Sequence, residues 1–301
     1  MKALSMLCAL LLMIHPAIAA AETVFDDLSR PFETFFLNEG VEWTESSYRS
    51  ENMYLSVAVQ RVCDSDVYVA DLYVRTAECL RRAFGGDAWN GGSEKIGTLA
   101  EKSGAVLALT GDNSHHLKAG YLVGNGQLWR SRGNNMRDLC VLYTDGTMKV
   151  YTASPDHYQI AKEMEMGLIW QTFVFGPSLL DENGKAIADF ISDVAPRNPR
   201  AVIGYYEPGH YCLVQVDGRG TFSTIETGVD NEGMTLTELA WFMESLGCRM
   251  AYNLDGGQSA AMWFGDDVIS TPYHNGRAVG DAIVLCEPEG ALDDWDSFLV
   301  E

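Results

Sequence analysis

Met53-Tyr54-Leu55-Ser56-Val57-Ala58-Val59-Gln60-Arg61 and Val67-Tyr68-Val69-Ala70-Asp71-Leu72-Tyr73-Val74-Arg75 flank a short polar link, Asp64-Ser65-Asp66. Both stretches alternate apolar with polar residues and are rich in Val and Tyr, which is the pattern of strands with a buried face. With a turn at Asp64-Ser65-Asp66 they predict an antiparallel hairpin. The same figure recurs downstream. Leu139 to Tyr143 and Thr147 to Tyr151 flank Asp145-Gly146, a strong local hairpin signal. Ala201 to Tyr206 and Tyr211 to Val216 surround Glu207-Pro208-Gly209, and Asn183-Gly184 marks a further turn.

Working outward, Glu22 to Ser50 reads as an irregular or partly helical lead-in, and Thr76 to Phe84 as a short helix stopped by Gly85-Gly86. Ala105 to Thr110 is a continuous apolar strand, about Pro155 to Met166 a helix, and Leu168 to Phe175 another strand. The clearest helix starts at Thr235, where Thr235 and Glu238 form a capping box. Leu236, Leu239, Ala240, Met243 and Leu246 line one face at helical spacing, and Gly247 stops the helix. Strands near Met250 to Leu254, Ala260 to Phe264 and Ala282 to Leu285 complete the body. Strands outnumber helices and the turns are hairpin-like. The reading is therefore a single α+β domain with mixed or antiparallel sheets and a few packed helices, not a doubly wound parallel sheet.

The 301 residues carry 42 acids against 21 basic residues, a net charge of -21. Nucleic acid is repelled by such a surface. With 47% hydrophobic and 21% charged residues, the chain is a folded globular protein, which excludes disorder and collagen. Residues 1–21 read as a secretory signal: Lys2, an apolar run from Ala3 to Ile14, then small residues at Ala17 to Ala21. That run is too short to span a bilayer, and no membrane segment is expected after signal removal, so the expected location is extracytoplasmic. Residues 22–100 form the N-terminal region of the same domain, and 287–301 an acidic tail in which Trp295 and Phe298 are candidates for a lid. Without Cys8, six cysteines remain: Cys63, Cys79, Cys140, Cys212, Cys248 and Cys286. An even count in an exported chain leads us to expect at least one disulfide, with Cys63 and Cys79 the first candidates and buried free thiols the alternative.

The densest chemical constellation is Asn253-Leu254-Asp255-Gly256-Gly257-Gln258-Ser259, directly after an apolar strand. Two glycines after an acid permit a tight turn and offer amide N–H groups as a cradle for an anion. A plain turn accounts for the same residues by pattern alone. Leu109-Thr110-Gly111-Asp112-Asn113-Ser114-His115-His116 is a second polar mouth on a buried strand. Asp112, Asn113 and Asp255 are carboxylate and amide ligands a divalent metal would accept, although no ligand spacing demands one; no cofactor is called for.

The run from Asn253 to Met262, followed by Arg277-Ala278-Val279-Gly280-Asp281-Ala282, closely resembles the C-terminal signature of the phosphodiester glycosidase family. Phe175-Gly176-Pro177, Pro199-Arg200-Ala201-Val202-Ile203-Gly204, Asp217-Gly218-Arg219, Leu236-Thr237-Glu238-Leu239-Ala240 and Leu109-Thr110-Gly111-Asp112 add to the resemblance in order. Together they cover residues 101–286. The chain departs from many members at Gln258, Ser259 and Ala260, and at Ala201, where a hydroxyl is common. The resemblance implies a secreted hydrolase that cuts the sugar C1–oxygen bond of a sugar-1-phosphodiester in a phosphorylated glycan or cell-surface polymer. A carboxylate would support the oxocarbenium-like transition state, and arginine forks would neutralise the leaving phosphate. On that reading Asp255 is nucleophile or electrostatic stabiliser, Asp112 its carboxylate partner and His116 an acid/base candidate, with His115, His210 and His274 behind it. Arg200, Arg277 and Arg219 bind phosphate, and Asn253, Gly256, Gly257, Ser259 and Gly111 line the substrate. The alternatives are a phosphodiesterase cutting the phosphorus–oxygen bond and a non-catalytic glycan-binding or envelope module.

Overall fold

Alternate side chains of the same strands enter different cores, and this organises the whole molecule. In the computed structural model, which describes residues 31–117, 120–132, 137–152 and 157–288, the largest sheet is wholly antiparallel. Its order is Glu42–Trp43, Ser47–Arg49, Met53–Val62, Ser65–Val74, His210–Val216, Arg200–Glu207 and Met250–Asn253. A second antiparallel sheet runs Asp267–Val268, Met262–Phe264, Leu107–Thr110, Asp281–Leu285 and Leu80–Phe84. Tyr68, Ala70, Leu72, Ile203 and Leu213 of the first sheet share one core with Leu107, Leu109, Met262 and Ile283 of the second. Their strand neighbours point the other way, as the period of two requires.

Those outward neighbours are covered by helices. Helix α1 (Ile96–Lys102) closes the second sheet through Leu99 and Ala100 against Ala108, Ala282 and Val284. Helix α2 (His157–Glu165) puts Ile160 against the three-stranded sheet of Met148–Tyr151, Leu139–Tyr143 and Ile169–Phe173. Helix α3 (Leu236–Ser245) covers the first sheet, with Leu239, Phe242 and Met243 buried among Val202, Val214 and Val216. Its capping box is formed as expected, with Thr235 Oγ1 accepting the Glu238 N–H and Glu238 accepting the Thr235 N–H. At about 2 kcal/mol for each large apolar side chain buried, this stripe, not helix propensity, docks α3. The fold is a single α+β domain.

Three expectations are corrected. The first hairpin turns on Cys63 and Asp64, both left-handed (φ 49° and 57°), with Val62 paired to Ser65. A two-residue turn of this hand suits the strand twist, so the turn lies earlier than Asp64-Ser65-Asp66. The helix expected over Thr76 to Phe84 is a single 3-10 turn, Ala77–Cys79, followed by a strand. Pairing of Leu80–Phe84 with Asp281–Leu285 overrides the local preference. All six described cysteines are free thiols. Cys63 and Cys79 lie beyond opposite ends of a ten-residue strand, which spans about 30 Å, so they cannot pair. Cys212 and Cys248 do approach, their Sγ atoms 3.7 Å apart.

The lead-in contributes the 3-10 turn Phe32–Phe35 and the two edge strands at Glu42–Trp43 and Ser47–Arg49. Among the described residues, no helix is long and apolar enough to cross a membrane. The segment Met1 to Ala21 and the tail beyond residue 288, with Trp295 and Phe298, lie outside the described residues.

Candidate active site

The ends of the two sheets meet at Asp255. Strand Met250–Asn253 finishes beside Arg200–Glu207, with Val202 opposite Asn253. The next residues bridge across: Leu254 N–H donates to Ala201, and Asp255 N–H donates to the Gly111 carbonyl at 3.0 Å. Gly111 follows strand Leu107–Thr110, so the second polar mouth is brought against the first. A Cβ on Gly256 would lie 2.6 Å from the Pro199 carbonyl oxygen. Gly257 has φ 62°, and a Cβ there would lie 2.9 Å from Arg219 Nη2. Gly256 therefore needs glycine for close approach to backbone, and Gly257 for its left-handed conformation. Of the amides in this turn, Gly257 N–H donates to the Pro199 carbonyl and Ser259 N–H to the Gly256 carbonyl.

Asp255 itself is 6% exposed. Arg277 Nη2 donates to its Oδ2 at 3.2 Å, and Arg277 Nε donates to Ser259 Oγ at 2.6 Å. Burial pushes the Asp255 pKa up, while Ser259 and Arg277 pull it back without cancelling the rise. Arg219 borders the same turn from the other side. Its left-handed backbone (φ 60°) aims the guanidinium at Asn198 Oδ1, which accepts from Nε and Nη2 at 3.1 and 2.7 Å. Its Cζ stands 5.3 Å from the Tyr273 ring centroid, and His274 stacks on Tyr273 at 4.0 Å. One guanidinium thus touches the nearly buried Asp255 carboxylate and a second stands over Gly257 in the same turn, an arrangement that suits an anionic ligand.

Behind this lies a second, fully buried charge network. Asp112 accepts the N–H groups of Val174 (2.8 and 2.9 Å to its two oxygens) and Phe175 (2.7 Å) and is wholly inaccessible. Asp281 accepts the Asp112 N–H and both the N–H and hydroxyl of Ser114, each at 3.0 Å. Between them sits Arg82, also buried, with Nε 3.4 Å from Asp281, Nη2 4.0 Å from Asp112 and Nη2 donating to the Thr172 carbonyl. Burial pushes the Asp112 pKa up to about 7; Arg82 and the two N–H donors oppose this, and Asp281 adds to it. The network holds the turn that carries His115 and His116, whose rings lie 4.0 Å apart. His115 Nε2 is 3.2 Å from Ser93 Oγ, and a Cβ on Gly280 would overlap the His115 ring.

The expected residues therefore separate. Asp255, Ser259, Arg277, Arg219, Gly256 and Gly257 share one surface feature. Asp112 and Gly111 adjoin it from beneath: Asp112 is closed from solvent, and a Cβ on Gly111 would fall 2.5 Å from Asp281 Oδ2. Arg200 turns away. It is 2% exposed and donates to the carbonyls of Met234 (2.8 Å), Pro196 (2.6 Å) and Ala195 (3.3 Å), and burial lowers its pKa to about 10. Asn253 is buried and donates to the Gly176 carbonyl. His210 is remote, stacked between Tyr73 and Tyr206 and bonded to Asp71. His116 is exposed at the mouth. Among the described residues no three His, Cys, Asp or Glu side chains converge as a metal would require. Sequence reasoning missed Arg82, Asp281, Asn198 and Tyr273. Asp281 stood inside the Arg277-to-Ala282 motif, whereas Arg82 had no local signal.

The model of the phosphodiester glycosidase family matches residues 101–286. The SPbeta prophage-derived uncharacterized protein YomE of Bacillus subtilis (strain 168) is 26% identical over 226 residues, covering 69% of this chain and 31% of YomE. The chain thus spans about a third of that relative's length. Among solved structures, the zebrafish N-acetylglucosamine-1-phosphodiester alpha-N-acetylglucosaminidase catalytic domain, auto-inhibited by its pro-peptide, matches with TM-score 0.60 at 19% identity, over 78% of this chain and 83% of that one. A hypothetical protein from Synechocystis matches with TM-score 0.51 at 15% identity, over 78% and 62%. At these identities the structures speak for the fold.

Proposed function

The chain belongs to the phosphodiester glycosidase family, and from that membership and the site geometry we propose that it hydrolyses a sugar-1-phosphodiester outside the cytoplasm, releasing free sugar and a phosphomonoester. The observation that carries this reading is the contact of Asp255 with Arg277 at the junction of the two sheets. Asp255 is placed to stabilise or attack an anomeric carbon, where positive charge grows in the transition state. Arg277, half exposed, is free to exchange its carboxylate partner for a substrate phosphate, with Arg219 beside Gly257 in the same turn. A phosphomonoester leaves without a strong general acid, so charge neutralisation by arginine matters most. Asp112, closed off from solvent, takes the role of supporting the turn beneath the site rather than touching the sugar.

A hydrolysis screen of sugar-1-phosphodiesters tests the proposal. Run in ¹⁸O-water, C1–oxygen cleavage places the label in the sugar. Label in the phosphate, with sugar 1-phosphate as product, would establish the phosphodiesterase alternative. Binding of glycan with no turnover of any diester would favour the non-catalytic module.

A further inference from the structure

Resting on the reading of Arg277 as the phosphate-binding arginine, we propose that Lys95, which lies before the family-matched segment, is a positioning residue that holds the Arg277 loop in its working shape. The loop is unusual by itself. His274, Asn275 and Gly276 are consecutive left-handed residues (φ 50°, 58° and 65°); His and Asn tolerate this conformation better than most side chains do, yet such residues adopt it singly, not in runs. Such a run persists only when its surroundings over-determine it. Lys95 Nζ donates to the Asn275 carbonyl at 3.0 Å and to the Gly276 carbonyl at 2.8 Å. One ammonium thus gathers the two carbonyls that immediately precede Arg277.

The segment around Lys95 is itself fixed. Glu94 and Val279 exchange two backbone hydrogen bonds (3.0 and 2.8 Å), and Gly85 N–H donates to Gly280. Arg82, on the strand leading into this segment, is locked between Asp112 and Asp281. Residues 82–95 therefore form a brace on one side of residues 275–281, while Arg277 N–H is tied to the Gln258 carbonyl on the other. The turn is closed by Asn275 N–H and Gly276 N–H donating to the carbonyls of Pro272 and Tyr273, and among the described residues the hydrogen bonds to the Asn275 and Gly276 carbonyls come from Lys95 alone.

Lys95→Met keeps the length and apolar stem of this exposed side chain and removes its donors. Native-state cleavage by an arginine-specific protease reads the loop without needing a substrate. We expect the Arg277–Ala278 bond to be cut about 5-fold faster in Lys95→Met at unchanged Tm, with Lys95→Arg restoring the wild-type rate because a guanidinium also reaches two carbonyls. On a sugar phosphodiester, KM should rise about 5-fold in Lys95→Met and kcat should fall by a smaller factor, in the same directions as for Arg277→Ala, because a misplaced guanidinium weakens ground-state and transition-state contact alike. Equal cleavage at Arg277 in wild type and Lys95→Met would overturn the proposal, as would faster cleavage with an unchanged KM. Should wild type hydrolyse no diester, the functional reading falls, and cleavage at Arg277 still decides whether Lys95 holds the loop.

Discussion

Arg277 Nη2 meets Asp255 Oδ2 at 3.2 Å, with the arginine side chain 47% exposed and the carboxylate only 9%. The pair therefore has one closed and one solvent-facing member. On the proposed function, the carboxylate keeps its place at the sheet junction while an incoming anion recruits the exposed guanidinium. Solvent screening makes the pair itself worth little stability, so its meaning is chemical.

Asp255→Asn preserves size and removes charge. If Asp255 acts on positive charge that appears mainly in the transition state, kcat should fall by at least ~100-fold while KM moves little. Steady-state kinetics on a confirmed sugar-phosphodiester substrate decide this, and a variant with near-full kcat leaves Asp255 as a turn former.

Arg277→Ala acts on both ground state and transition state, since the phosphate is anionic throughout and gains charge as the bond to C1 breaks. KM should rise and kcat should fall, with the kcat loss shrinking for better leaving groups. A neutral aryl glycoside offers no phosphate to hold, so its turnover should be nearly indifferent to the substitution. Equal losses on both substrates would place Arg277 in the structural class.

Asp112 has a folded-state pKa raised from 3.8 to about 7, first of all by burial. Between those values the native state holds a proton that the unfolded chain releases, so stability declines as pH climbs from about 4 to about 7 and is level with respect to this group above that. Asp217, raised to about 6, contributes with the same sign. Asp112→Asn removes one of these titrations. Melting temperatures followed across this window should decline less steeply in the variant than in wild type, whatever their absolute values, and parallel curves would contradict the assignment.

Arg200→Met removes a charged donor from the carbonyls of Met234, Pro196 and Ala195, each of which keeps a second donor in Asn198 N–H, Asn198 Nδ2 and Leu236 N–H respectively. No acceptor is left without a partner, so the cost is that of the lost charge-assisted hydrogen bonding, and chemical denaturation should register a loss of about 2 kcal/mol. Folded variant should keep KM within about 3-fold of wild type. A tenfold rise in KM at unaltered stability would return Arg200 to the phosphate.

Several elements were legible because their signals are local. The Thr235 capping box and the stripe from Leu236 to Met243 specify α3 within ten residues of chain. The glycine after Asp145 and the positions flanking Glu207-Pro208-Gly209 specify two hairpins in the same way. Thr76 to Phe84 was misread because Leu80–Phe84 has no strand alternation of its own; its state is set by Asp281–Leu285, some 200 residues away. The Cys63–Cys79 pairing was misread for a related reason, since proximity in sequence is undone by the extended strand between them.

What the amino-acid sequence determined by itself was the α+β class, the run of hairpins, helix α3, and the segments from Asn253 to Ser259 and from Arg277 to Asp281 that carry charge at strand ends. These follow from periodicity and turn chemistry, which act over a few residues. Only the tertiary structure decided which charges share the site. It sent Arg200 inward to three backbone carbonyls, closed Asp112 from solvent beneath the turn, and brought Arg82 and Lys95 from ahead of residue 101 to support a loop near residue 277. A side chain's role there depends on which carbonyl or carboxylate lies opposite it in space, and that is settled by how the two sheets pack.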